Sequence, residues 1–169
     1  MLIIDAARLL IFPSVMAFAA SSDLFTMTIS NRISLILVAG FLALAVGTGM
    51  PAAEILNYAG AGGLVLAITF IFFLRGWVGG GDAKLAAATA LWLGWTHLFD
   101  YALYASLLGG VLTLALLEFR KLSMPSLLVG KQWAERLHQP GGGVPYGIAL
   151  AIAALVVYPS TIWMQAIGH

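Results

Sequence analysis

YAGAGGLVLAITFIFFL, running from Tyr58 to Leu74, contains no charged residue. A bilayer hydrocarbon core takes about 20 mostly apolar residues in helical form, so this stretch reads as a transmembrane helix. Working outward, five more stretches share its character: residues 2–20, 33–49, 83–99, 101–119 and 144–164. No segment alternates apolar and polar residues with a strand period, which argues against an outer-membrane barrel. The expected fold is therefore all-α: a polytopic integral membrane protein with about six transmembrane helices, forming one membrane-embedded domain over residues 1–169.

Composition supports this and removes other classes. Hydrophobic residues make up 62% of the 169 residues and charged residues 9%, too few charges to cover a soluble domain of this size. The net charge is +1 and no basic stripe exists, which excludes nucleic acid as a partner. Cysteine is absent, so disulfides, thiolate catalysis and cysteine zinc sites are excluded. The triplet Ala17-Phe18-Ala19 has the small-residue form of a signal-peptidase site. No basic region precedes the apolar run, however, and the segment reads as the first helix. Asp5 and Arg8, three residues apart, are placed to pair on one face of it.

The cations order the topology. Arg32 falls in the first loop, Arg75 and Lys84 flank the third, and Arg120, Lys121, Lys131 and Arg136 fall in the fifth. The even loops, around residues 51–57 and at Asp100, carry none. The positive-inside rule then places the odd loops in the cytoplasm and both termini outside. The fifth loop, residues 120–143, is the one sizeable soluble segment. Its Trp133, Arg136 and Leu137 suggest a short amphipathic helix lying on the membrane surface.

Topology sorts the seven acids. Asp5, Glu54 and Asp100 fall on the outer side, Glu118 lies beside Arg120 and Lys121, and Glu135 lies among basic neighbours. Asp23 and Asp82 remain, both at the cytoplasmic boundary, where ionisable groups are costly and usually functional. Two carboxylates brought together share one proton, so one serves as base toward a water and the other as acid toward a scissile carbonyl. Such a dyad needs no metal and no cofactor. Taken singly, Asp23 also reads as a helix-end residue and Asp82 as an N-cap. A small ion-coupled transporter using both acids is the reading from another class, although its acids belong near mid-span.

Gly79-Gly80-Gly81 directly precedes Asp82, and Ala83-Lys84-Leu85 follows. Glycines admit close backbone approach, and an extended substrate is expected to pair with this run through main-chain hydrogen bonds. A flexible loop or a close helix contact explains the run equally simply.

With these residues the chain resembles the type IV prepilin peptidases, membrane aspartic peptidases with a Gly-x-Gly-Asp motif. Gly79-Gly80-Gly81-Asp82 matches the motif and Asp23 the family's first aspartate. Thr28-Ile29-Ser30-Asn31-Arg32 is similar to its Ile-Pro-Asn stretch, with Ser30 where proline is usual. Val144-Pro145-Tyr146-Gly147 is similar to the family's Pro-aromatic-Gly opening of the last helix. The resemblance implies catalysis by Asp23 and Asp82 and removal of prepilin leaders at the cytoplasmic face of a bacterial inner membrane. The chain resembles the short form associated with tight-adherence (Flp-type) pili, for which no methyltransferase activity is expected. Preflagellin peptidases and the presenilin and signal-peptide-peptidase group share Gly-x-Gly-Asp. The latter differ in having Tyr before the first aspartate, where Ser22 stands here, and Pro-Ala-Leu near the end. The expected partners are a prepilin or pseudopilin peptide and the lipid bilayer. Substrate contacts are expected from Gly79, Gly80 and Gly81, and from Lys84 and Arg32, the cations nearest the aspartates in sequence.

The three histidines, His97, His138 and His169, are too scattered to make a metal site. Trp92, Trp95 and Trp163 suit interfacial anchoring. Gly60, Gly62, Gly63, Gly109 and Gly110 suit close helix packing. Gly141-Gly142-Gly143 reads as a plain linker or a hinge admitting substrate.

Overall fold

A computed structural model describes residues 2–167, and those residues form helices and turns without a strand. The helices are α1 (Leu2–Thr26), α2 (Asn31–Gly47), α3 (Ala52–Leu74), α4 (Gly80–Leu93), α5 (Leu98–Lys121), α6 (Gln132–His138), α7 (Tyr146–Val157) and α8 (Ile162–Gln165). Short 3₁₀ turns, Trp95–His97 and Tyr158–Ser160, join α4 to α5 and extend α7. His169 lies outside the described residues.

Three segments, Leu2–Thr26, Ala52–Leu74 and Trp95–Lys121, are long and apolar enough to cross a membrane, and Asn31–Gly47 and Tyr146–Ser160 are shorter apolar helices. The protein is thus an all-α membrane protein. The fourth expected span is cut short. It ends at Leu93 rather than running to residue 99, because Gly94 turns with φ +67 and packs its backbone on Tyr58. A Cβ at Gly94 would lie 2.6 Å from the Tyr58 ring, so both conformation and space demand glycine. Asp100 accordingly sits in the first turn of α5 rather than in a loop.

Helices α4 and α7 form the centre. α4 packs on α2, α3 and α7, and α7 packs on α1, α4 and α5. Small residues make this possible: Ala83, Ala86, Ala87, Ala88 and Ala90 of α4 and Ala149, Ala151, Ala153 and Ala154 of α7 are buried. The outer faces of α3 and α5 carry exposed bulk instead, including Leu64, Phe70, Ile71, Val111 and Leu114. Such a continuous apolar surface belongs against lipid.

The end of the bundle away from Asp82 is filled by an aromatic cluster, which corrects the interfacial role expected of two tryptophans. Trp92 and Trp163 are core residues, packed with Phe12, Phe41 and Tyr158. Trp92 Nε1 donates to the Leu37 carbonyl at 2.9 Å, and Trp163 Nε1 to the Trp92 carbonyl at 2.8 Å. The alanine-rich centre leaves a wide space at its end, and large rings with one donor each fill it while their N–H groups cap backbone carbonyls. Trp95 alone of the three stays exposed at a boundary, with Nε1 donating to Asn57 O. Asp5 and Arg8 pair at 3.1 Å, as expected.

The fifth loop contains a helix, but its apolar residues face protein rather than lipid. Ala134 and Leu137 of α6 are buried, and Trp133 meets Phe25 edge-on at 5.9 Å. Arg136 donates to the carbonyls of Phe25 and Thr26, capping the end of α1. Arg120 donates to Leu137 O at 2.8 Å and Gly143 O at 2.7 Å. The loop is thereby fastened across the ends of α1 and α5, and the glycine run is tied down at Gly143. Glu118 pairs with Lys121 at 2.6 Å but not with Arg120, and Glu135 accepts from Gly130 N–H at 2.9 Å rather than from a cation. Of the glycines expected at helix contacts, Gly60, Gly62 and Gly109 meet neighbours, whereas Gly63 and Gly110 face open space.

Candidate active site

Asp23 stands one turn before the end of α1. That helix stops at Thr26, and Met27 follows with φ 55, donating its N–H to Asp23 O at 2.8 Å. The chain then passes through Ile29 to Ser30, which caps α2 by accepting from Arg32 N–H. Ser30 has φ −66, the value a proline ring imposes, so the backbone at this position is one that proline also adopts.

The Asp23 side chain is 4% exposed, and its Oδ2 accepts the backbone N–H of Gly147 at 2.7 Å. Gly147 belongs to the first turn of α7, where N–H groups have no partner within the helix and the helix dipole favours an anion. This contact joins residues 124 apart in the chain. A Cβ at Gly147 would come 2.7 Å from Asp23 Oδ2 and 2.5 Å from Ile29 Cδ1, so only glycine fits. The sequence reading noted the Pro145-Tyr146-Gly147 element without giving it a partner. Its signal is visible in retrospect: a proline and glycine opening an apolar helix mark exposed N–H groups that an acid can use.

Asp82 lies in the first turn of α4, after Gly79 as N-cap. Gly80 and Gly81 are already helical, which corrects the expectation that the run offers an extended edge. Its glycines serve close contact instead. A Cβ at Gly81 would lie 2.9 Å from the Ile29 carbonyl oxygen, and one at Gly79 would lie 2.8 Å from Asp82 Oδ2. Ile29 therefore wedges between the first turns of α4 and α7, touching Gly81 on one side and Gly147 on the other. The Asp23 carboxylate lies near enough to act electrostatically on that of Asp82. Asp82 Oδ1 is buried and has no hydrogen-bond partner.

The expected cations do not join this pair. Lys84 leaves α4 on another side, donating to Asn31 Oδ1 at 2.8 Å and lining a separate groove of about 540 Å³ with Asn31, Gly62 and Leu66. Arg32 is exposed at the start of α2. Asp82 instead lines an apolar groove of about 380 Å³ between α3, α4, α5 and α7, with Tyr101, Tyr146, Thr69 and Ser106. Nothing in the local sequence had pointed to Tyr101, which follows Asp100 in an otherwise apolar stretch.

The fold is that of an all-α membrane protein, with Asp23 buried and Asp82 half-buried, its Oδ1 enclosed, at one end of the bundle. A family model of the type IV leader peptidases matches residues 10–114, and the chain belongs to that family. Comparison with curated proteins and with solved structures found no match.

Proposed function

We propose that this protein is a membrane aspartic endopeptidase that removes leaders from prepilins of the Flp type, with Asp23 and Asp82 as its catalytic pair. The observation that carries the reading is that two acids from distant parts of the chain, Asp23 near the end of α1 and Asp82 in the opening turn of α4, lie within electrostatic reach of each other. One has an oxygen held by Gly147 N–H and the other has a buried oxygen without a partner. Two such carboxyls share a proton because neighbouring like charges disfavour double ionisation. The ionised member takes a proton from a water, whose oxygen attacks the scissile carbonyl carbon. The protonated member donates to the carbonyl oxygen. Collapse of the tetrahedral intermediate breaks the C–N bond, and the departing amine takes up the proton.

The segregation of charge supports a cytoplasmic site. Arg32, Arg75, Lys84, Arg120, Lys121, Lys131 and Arg136 all lie at the ends of helices or in loops on the Asp23 and Asp82 side, and such an excess faces the cytoplasm. In a bacterial cell this is the inner membrane.

Co-expression with candidate prepilins tests the reading, with leader loss followed on a gel and the new N-terminus sequenced. Asp23→Asn and Asp82→Asn should each reduce cleavage at least about 10³-fold, since one carboxyl cannot serve as both acid and base, while the protein still inserts. Substantial cleavage by either variant sinks the pair.

A further inference from the structure

The groove of about 540 Å³ between α2, α3 and α4 takes no part in the aspartate pair. Its lining runs from Asn31 to Val38 on α2, from Leu66 back to Ala59 on α3 and from Lys84 to Leu91 on α4. Each stretch is a step of seven residues, about 10 Å at the helical rise. The groove therefore starts at the end of the bundle that carries the cations and reaches about a third of the way into a hydrocarbon core about 30 Å thick. Its wall is apolar, with Leu35, Leu66 and Leu91 around the small Gly63, Ala87 and Ala88. A Cβ at Gly63 would meet nothing within 4 Å.

Lys84 and Asn31 stand at the mouth. Lys84 Nζ donates to Asn31 Oδ1 at 2.8 Å. Two ammonium hydrogens and the Asn31 side-chain NH₂ are left without a partner among the described residues, and all of them are donors. Arg32 is exposed beside Asn31, and neither cation is ion-paired among the described residues. No carboxylate lines this groove; Asp82, two residues from Lys84, lines the other one. The mouth therefore carries positive charge that the protein itself does not compensate.

The geometry points to this groove as a binding site for an anionic phospholipid of the cytoplasmic leaflet, with one acyl chain in the cleft and the phosphate at Lys84 and Asn31. The inference rests on the membrane fold and its positive-inside orientation, and not on the leader-peptidase reading. Shape selects a thin occupant. A helix is 10–12 Å across with its side chains, so a 10 Å length of it fills about 800–1,100 Å³, well above the space present. An acyl chain, one methylene wide, lies in it lengthwise. Charge selects the headgroup. Anionic lipids belong to the cytoplasmic leaflet, and basic pockets between transmembrane helices on that side take their headgroups. A phosphate offers acceptor oxygens alone, which matches donors alone at the mouth. A zwitterionic lipid brings its own cation and gains less from Lys84.

The test uses the full chain, delipidated in detergent and titrated with phosphatidylglycerol or phosphatidylethanolamine, with bound lipid counted by native mass spectrometry. Wild type should hold one phosphatidylglycerol in preference to phosphatidylethanolamine. Lys84→Gln should weaken phosphatidylglycerol about fivefold and phosphatidylethanolamine by less than about twofold, the effect of one cation near an anionic lipid. Lys84→Arg should retain the preference. Gly63→Leu puts a side chain into the cleft without a clash and should weaken phosphatidylglycerol at least about tenfold, as overfilling a packed site does. Gly110→Leu, at an equally unobstructed glycine of α5, should change nothing. Phosphatidylglycerol should raise the thermal midpoint of wild type and not that of Gly63→Leu, because a ligand held by the folded state stabilises it. The two Lys84 variants decide the matter should Gly63→Leu lower the lipid-free midpoint. Equal affinity of wild type for both lipids, no loss in Lys84→Gln, full retention by a folded Gly63→Leu, or an equal loss in Gly110→Leu overturns the assignment. So does a dimer that Gly63→Leu dissociates, which makes a second copy the occupant. Leader cleavage is a separate readout, and each of these failures leaves the aspartate pair standing.

Discussion

Helices α3 and α4 lie against each other along their lengths, yet they are built on opposite terms. Nine of the fourteen residues of α4 are buried, against two of the twenty-three in α3. The long helix is rich in Leu, Ile and Phe and turns them outward; the short one is rich in alanine and is enclosed. In water that pattern would be inverted. In a bilayer, bulky side chains gain nothing by leaving lipid for protein, and association is driven by close packing of small residues and by polar contacts. The inner helices, α4 and α7, therefore supply Asp82 and the Gly147 N–H of the candidate site, and the outer ones form a wall against lipid. The enclosed α4 also ends early, at the Gly94 turn, and so is shorter than the expected fourth span.

The comparison breaks most readily at Trp92. It is fully buried at the end of α4, and Trp92→Ala should cost about 3–5 kcal/mol in a core that cannot collapse to refill the space. Thermal or denaturant unfolding in detergent reads this directly, and a cost below about 1 kcal/mol would mean that the aromatic cluster is not a core.

A smaller effect, felt in activity, is expected at Gly147. Gly147→Ala pushes a methyl group into Asp23 Oδ2 and Ile29 and disturbs a hydrogen bond to a carboxylate, a contact worth about 1.5–3 kcal/mol. Leader cleavage should fall about 10- to 100-fold. Cleavage at the wild-type rate would show that the α7 turn does not hold Asp23.

The smallest effect belongs to the outer wall. Phe70, on α3, is 52% exposed, and Phe70→Ala should change stability by no more than about 0.5 kcal/mol, because lipid tails refill the space. A loss comparable to that of Trp92→Ala would mean that this face of α3 packs on protein.

Much of the site was legible before folding. The charge count singled out Asp23 and Asp82 from seven acids, and the glycine run placed Asp82 at a helix opening. The structure brings both acids to one end of the bundle. Less legible was what surrounds them. Lys84 is two residues from Asp82 in sequence, but two residues on a helix point about 200° apart, and Lys84 binds Asn31 instead.

The sequence by itself determined the class of fold and the uneven distribution of charge, and with them singled out the two candidate acids, because transfer from water to lipid is a property of each residue and sums along the chain. Only the tertiary structure decided which apolar surfaces face inward. Lipid and protein interior are both apolar, so a helix such as α7 has no polar face from which its orientation can be read. The same limit hid the Gly147 contact to Asp23 across 124 residues and the burial of Trp92 and Trp163. Each depends on where two distant helices meet, and that is set by the fit of alanine and glycine surfaces rather than by hydropathy.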